Sequence, residues 1–208
     1  LVMQNFKLDL SSLGLNKNTP LYAYTDNAAA VKELPGATEW YDELFMKFLI
    51  GRLAYNNQNF ESLFVESHDG NYAVESMNKY GITGVLTDSD DSQDQAACKA
   101  VIHESIKAHK VMPIYVNINN THWVSAMLVS DGTKNKIFYF DSVNSPAYKQ
   151  ELVKALHQCC KLSGLAKYEL VDVDLKVQDN GYDCGPLSAQ FNRFAYMLFK
   201  SNPDIINK

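Results

Sequence analysis

The segment Gln178-Asp179-Asn180-Gly181-Tyr182-Asp183-Cys184-Gly185-Pro186 puts a cysteine where a turn gives way to a helix. Asn-Gly is a turn signal, Asp183 is the expected N-cap, and Pro186 is tolerated because N–H groups of a first turn need no intrahelical partner. Those unpaired N–H groups and the positive end of the helix dipole favour a thiolate over a thiol. Cys184 is therefore placed to be a nucleophile, although the segment alone fits an inert buried cysteine equally well. A thiol nucleophile needs a base within hydrogen-bond reach, and an imidazole base needs a carboxylate or amide to fix its tautomer. His122 opens the run Thr121-His122-Trp123-Val124-Ser125-Ala126-Met127-Leu128, and Asp141 closes Ile137-Phe138-Tyr139-Phe140-Asp141. If the two runs form a hairpin, the start of one lies beside the end of the other, and His122 and Asp141 can meet at one edge of the sheet. Taken singly, each is equally well read as a turn residue.

The elements that must carry these residues are legible from periodicity. Apolar Leu44, Phe45, Phe48 and Leu49 recur at helical spacing over 40–53, predicting an amphipathic helix. A second helix is predicted over 93–109, with Cys98, Val101, Ile102 and Ile106 on one face. The period then changes. Residues 111–118, 123–129 and 136–141 are β-rich runs separated by Asn119-Asn120 and Asp131-Gly132 turn signals, which predicts three neighbouring strands. A helix over 146–162 follows, then a short strand over 168–173. A last helix over 183–200 carries Leu187, Phe191, Phe194 and Leu198 on its stripe. This order argues an α+β fold.

At 208 residues, with 46% hydrophobic and 21% charged side chains, the chain can bury a core as one large domain. Residues 1–36, with turn signals at Asn18-Thr19-Pro20 and Pro35-Gly36, read as a lead-in packed against a domain spanning 37–208. Opening on Leu1, the chain is compatible with being a fragment of a longer protein. A net charge of -5 and the lack of a basic stripe argue against nucleic acid as a partner. No run approaches the ~18 apolar residues of a membrane span, and no secretion signal is visible, so membrane insertion is not expected. Cys98, Cys159, Cys160 and Cys184 lack zinc-site spacing, and free thiols in a reducing compartment fit best. His68, His103, His109 and His157 show no ligand-like pairing. The acidic stretch 88–94 (Asp88, Asp90, Asp91, Asp94) lacks the Gly and closing Glu of a calcium loop. No metal and no cofactor are expected.

Together, Thr121-His122-Trp123, Phe140-Asp141-Ser142 and the Gln178–Gly185 segment resemble the catalytic signature of the ubiquitin-like-protease family, the clan CE cysteine peptidases, in the order His, Asp, Gln, Cys. The Gln six residues before Asp-Cys-Gly is the most specific part. The resemblance implies a papain-like fold, with a central mixed or antiparallel sheet flanked by helices and the catalytic Cys at a helix N-terminus. It implies His122 as general base, Asp141 as its orienting carboxylate and Cys184 as the nucleophile. Gln178 would then supply its side-chain amide, with the Cys184 N–H, to an oxyanion hole. The family also places one Trp after the catalytic His and another at the opening of the early helix, together roofing a narrow tunnel; Trp123 and Trp40 fill those slots. Such a tunnel admits only residues without side chains, which implies a Gly-Gly terminus. The family usually has Asp three residues after the first Trp; here Glu43 stands there, with Asp42 before it.

The function this implies is a cysteine isopeptidase that removes ubiquitin or a ubiquitin-like modifier from target proteins. The Asn-rich composition and the Cys-Gly-Pro ending favour a bacterial effector deubiquitinase acting in a host cytoplasm or nucleus, with a SUMO protease as the alternative. An effector acetyltransferase of the same clan is the alternative of another class, and the Asp141 motif, the His-Trp pair and the acidic pI count against it. A catalytically dead binding module is disfavoured by the complete triad.

Overall fold

The computed structural model describes residues 21–22, 30–31, 40–55, 57, 60–78, 81–87, 96, 99–100, 103–104, 107 and 111–202. Two short strands, β1 (Leu21–Tyr22) and β2 (Ala30–Val31), pair only with each other. They are all that is described of the predicted lead-in. Helix α1 (Glu43–Tyr55) is followed by β3 (Ser62–His68), β4 (Asn71–Asn78) and β5 (Gly81–Thr87). Then come β6 (Val111–Ile118), β7 (His122–Ser130), β8 (Asn135–Phe140), α2 (Pro146–Ser163), β9 (Glu169–Asp172) and α3 (Cys184–Ser201). The strands from β3 to β9 form one mixed seven-stranded sheet in the order β5-β4-β3-β6-β7-β8-β9. Neighbours pair antiparallel except β3 with β6 and β8 with β9, which are parallel and need crossover connections. The fold is α+β.

The β6–β7–β8 meander, the 146–162 and 183–200 helices and the short strand before the last helix stand where periodicity predicts them, within a residue or two. Strands β3 to β5 are additions that periodicity did not mark. The core of β3 is buried on successive residues rather than alternately, because both sheet faces are covered, and such a run has no period to detect. Its hairpin to β4 is nonetheless written in the chain: Asp69 (φ 49°) and Gly70 (φ 81°) both take the left-handed conformation that a type I′ turn requires. Of the predicted 93–109 helix, Ala96, Lys99, Ala100, His103, Glu104 and Lys107 are helical, while Cys98, Val101, Ile102 and Ile106 lie outside the described residues. The acidic stretch 88–94 lies outside them too.

Each sheet face has its own core. Phe45, Met46, Phe64, Trp123, Met127, Phe140, Phe191 and Tyr196 pack on the face that α1 and α3 cover. Val65, Ile114, Val124, Ala126, Leu128, Leu152 and Leu156 pack on the α2 face. Two expectations need correction. Helix α1 is not amphipathic: every residue from Phe45 to Gly51 is buried, Lys47 included, whose Nζ is neutralised by Glu43 and Glu75 at 2.7 Å each. On α3, Leu187 and Phe191 are buried but Phe194 is exposed. The buried stripe runs through Ser188, Phe191, Ala195 and Phe199 instead, a phase in which a small Ala faces the sheet and a large Phe faces out.

Candidate active site

His122 is the first residue of β7, delivered by a tight turn in which Asn119 and Asn120 both take positive φ (49° and 55°). The Asn117 side chain accepts the Asn120 N–H at 2.8 Å, and the Asn119 N–H donates to the Ser67 carbonyl at 2.7 Å, so the turn is tied to its neighbouring strand. Along β7 His122 shares the parity of Val124, Ala126 and Leu128, the α2 face, and Trp123 takes the opposite one. Asp141 follows β8 directly and is fully buried. Its Oδ1 accepts from His122 Nε2 at 2.7 Å, and its Oδ2 accepts the Ser145 N–H at 2.8 Å. The predicted meeting of His122 and Asp141 at the end of this hairpin is realised.

Cys184 begins α3 and is buried. Asp183 occupies the N-cap position, but its carboxylate makes no capping bond and accepts instead from Asn180 Nδ2 at 2.8 Å. Asn180 Oδ1 accepts the N–H groups of both Tyr182 and Asp183 at 3.0 Å, which bends the chain ahead of the helix. Cys184 lies within interaction range of the His122 ring. Burial pushes the His122 imidazole down, but the interactions with Asp141 and Cys184 and their negative charge more than reverse this and raise its pKa from 6.5 to about 9. With Nε2 committed to Asp141, Nδ1 is the nitrogen left for the thiol.

Gln178 is buried next to this pair, in the loop before α3. Its Oε1 accepts from Ser142 Oγ at 2.5 Å, and its Nε2 donates to the Asn180 carbonyl at 2.7 Å. A flipped amide would set two carbonyl oxygens against each other at Asn180, so the Asn180 carbonyl selects the orientation, while the Ser142 hydroxyl, able to donate or accept, anchors the other end. One Nε2 hydrogen remains free of these bonds. The Ser142 carbonyl also accepts from Val177 and Gln178 N–H at 2.9 Å each, which ties the Gln178 loop to the residue after Asp141.

The two tryptophans flank the Cys184 loop unequally. Trp40 is 52% exposed and donates Nε1–H to the Gly181 carbonyl at 2.7 Å. Trp123 is buried, donates Nε1–H to the Tyr41 carbonyl at 2.7 Å, and meets Phe64 edge to face. Asp42, not Glu43, caps α1, its Oδ1 accepting the Phe45 N–H at 2.8 Å. Gly185 approaches so closely that a Cβ on it would lie 2.9 Å from Tyr41 Cβ and 3.4 Å from Trp123 Cδ1.

Sequence reasoning missed Ser142, Asn180, Gly185 and Tyr148 as parts of this site. Tyr148, in the first turn of α2, stacks on the His122 ring with centroids 3.9 Å apart. The Asp-Ser pair and the Asn-Gly turn were visible signals; nothing in the sequence points to Tyr148. An open cleft of about 600 Å³ lined by Tyr139, Asn144, Lys149, Asp172 and Asp174 contains none of the four candidate catalytic residues.

A family model described as the RickCE-like catalytic domain matches residues 108–192, a stretch that contains His122, Asp141, Gln178 and Cys184. No curated protein matches the chain. Among solved structures, the C-terminal Ulp1 protease domain from yeast, in complex with Smt3, the yeast ortholog of SUMO, superposes with a TM-score of 0.51 at 17% identity. That match covers 90% of this chain and 80% of the other. The Ulp1-like SUMO protease catalytic domain of Chaetomium thermophilum gives 0.51 at 16% identity, covering 90% and 76%. The Rickettsia bellii effector protein RickCE matches over 50% of this chain and 43% of its own, at 16% identity and a TM-score of 0.39. The chain thus has the α+β fold of the Ulp1 protease domain, and its stretch 108–192 is similar to the RickCE-like catalytic domain.

Proposed function

We propose that this chain is a cysteine isopeptidase that cleaves after the C-terminal Gly-Gly of ubiquitin or a ubiquitin-like modifier, with ubiquitin as its first substrate. The observation that carries the reading is the buried line Asp141–His122–Cys184, closed by a 2.7 Å bond at one end and a thiol at a helix start at the other. The Ulp1 domain that shares the fold was solved bound to a SUMO ortholog, which supports a modifier as the partner. The RickCE-like match, whose namesake is described as an effector protein, supports an effector acting in a host cytoplasm.

In this reading His122 holds the Cys184 proton as an imidazolium, oriented by Asp141. The thiolate attacks the carbonyl carbon of the terminal glycine, and the displaced electron pair moves onto the carbonyl oxygen. The free Nε2–H of Gln178 and the backbone N–H of Cys184 receive that oxyanion. Collapse breaks the isopeptide C–N bond, and the leaving lysine amine takes the proton from His122. A thioester on Cys184 remains. Neutral His122 then removes a proton from water, whose oxygen attacks the thioester. Expulsion of the thiolate releases the modifier as a carboxylic acid, which loses its remaining proton to solvent, and leaves the thiolate–imidazolium pair restored. The half-exposed Trp40 indole, pinned to Gly181 beside the nucleophile, is read as a wall for the extended tail. A Cβ on either glycine would meet such flat walls, and overpacking costs about 1–3 kcal/mol even in adaptable cores.

A panel of ubiquitin, SUMO and other modifiers, each bearing a C-terminal electrophile, tests this by mass shift and peptide mapping. At least one modifier should form an adduct on Cys184 that Cys184→Ala abolishes, and the same modifier ending in Gly-Ala should react at least tenfold more slowly. No adduct from any modifier, or an adduct on Cys159 or Cys160, would overturn the reading. Transfer of an acetyl group from acetyl-CoA to Cys184 would replace it with the acyltransferase alternative.

A further inference from the structure

The His122 ring is held by three elements. The Asp141 carboxylate reaches Nε2 from the end of β8, Cys184 lies within interaction range at the start of α3, and the Tyr148 ring of α2 lies on the imidazole face, with planes 19° apart. An imidazole held by one in-plane bond at Nε2 keeps one motion cheap, a pivot about the line through that bond. A ring pressed on the face blocks that pivot. The 3.9 Å separation is shorter than the ~4.5–7 Å usual for aromatic pairs, so the face has no slack. Tyr148 is also tied to the residue it serves. The Ser145 N–H donates to Asp141 Oδ2, Pro146 starts α2, and the Lys149 N–H returns to the Ser145 carbonyl at 2.9 Å. Asp141 and the turn bearing Tyr148 therefore move as one piece.

We propose that Tyr148 is a positioning residue for His122: its ring keeps the imidazole in the plane that joins Asp141 to Cys184 and gives the imidazolium a π face to rest on. The inference rests on His122 being the base of the proposed reaction, and it needs no particular substrate. The titratable groups facing His122 are Asp141 from β8, Cys184 from α3 and the Tyr148 phenol from α2. Tyr148 is only half-buried whereas His122 is buried, so the phenol ring itself is the cover on that side.

The test follows the His122 ring by NMR titration, its signal identified by its loss in His122→Gln. The free protein is used, so the outcome is independent of any modifier. Tyr148→Phe should titrate as wild type. In Tyr148→Leu the His122 midpoint should fall by about 0.4–0.7 pH units, the equivalent of a cation–π contact of ~0.5–1 kcal/mol. With whichever modifier reacts, Tyr148→Leu should lower kcat about tenfold with KM changed less than twofold. Tyr148→Met fills the same space without a π face and should shift the midpoint like Leu, which covers the case where Leu fails to fold. A wild-type His122 midpoint in a folded Leu or Met variant overturns the proposal, as does a shift of equal size in Tyr148→Phe. If wild type reacts with no modifier while the midpoint moves as expected, the substrate reading fails and the role of Tyr148 stands.

Discussion

Replacing Gly185 with alanine puts a methyl group into a space that two fixed side chains already border. The new carbon would sit 2.9 Å from Tyr41 Cβ, 3.2 Å from Tyr41 Cγ and 3.4 Å from Trp123 Cδ1, against the ~3.5–4.0 Å of a relaxed carbon contact. Tyr41 cannot rotate away, because its Cβ moves only with its backbone, and its carbonyl holds the Trp123 indole at 2.7 Å. Trp123 in turn is wedged on Phe64. The start of α3 must therefore give, by roughly half an ångström or more. Overpacking of this kind costs about 1–3 kcal/mol, and the gain in helix propensity from Gly to Ala returns about 0.5–1 kcal/mol. The net loss of stability is on the order of 1–2 kcal/mol, a fall in Tm of about 2–8 °C for a chain of this size. The residue displaced with Gly185 is Cys184, however, and a misplacement of about 1 Å at a reacting centre costs about 100-fold in rate. Turnover should thus fall about 10- to 100-fold at temperatures where the variant is fully folded. Thermal melts and initial rates on one preparation measure both. A variant with wild-type kcat and an unchanged or raised Tm would refute the close-packing argument.

Two further outcomes follow from the site. Ser142→Ala removes the hydroxyl that anchors the Gln178 amide oxygen, and kcat should fall about tenfold with KM nearly constant. Ser142→Thr should restore it, and equal activity in Ser142→Ala would show that the Asn180 carbonyl suffices. His122, raised from 6.5 in the unfolded chain to about 9 by Asp141 and Cys184, contributes stability that is complete below pH 6.5 and lost as pH rises through about 9. Denaturant titrations at pH 6 and pH 9 should therefore show a larger alkaline loss in wild type than in Asp141→Asn, and parallel losses would refute that linkage.

Residue type and spacing marked Cys184, His122 and Asp141 as candidates, because a hairpin edge and a helix start depend on local grammar: a turn before Cys184, strands that begin at His122 and end before Asp141; their roles came from the resemblance to the ubiquitin-like-protease family. The Asp69-Gly70 turn pair signals a hairpin that went unread, because β3, covered on both faces, shows no alternation. Single-helix patterns were less informative. Phe194 fits a 3.6-residue stripe with Phe191, yet it is exposed, because the phase of α3 is set by what the sheet offers and not by the helix itself. Trp40 and Trp123 look equivalent along the chain, and only packing puts one indole at the surface and the other under the nucleophile. The anchoring of Gln178 on Ser142, the need for glycine at 185 and the ring of Tyr148 on His122 belong wholly to the tertiary structure. Each depends on contacts between elements 36 or more residues apart or across a strand–helix junction, and pairwise distances of that kind leave no period, spacing or composition in the sequence to be read.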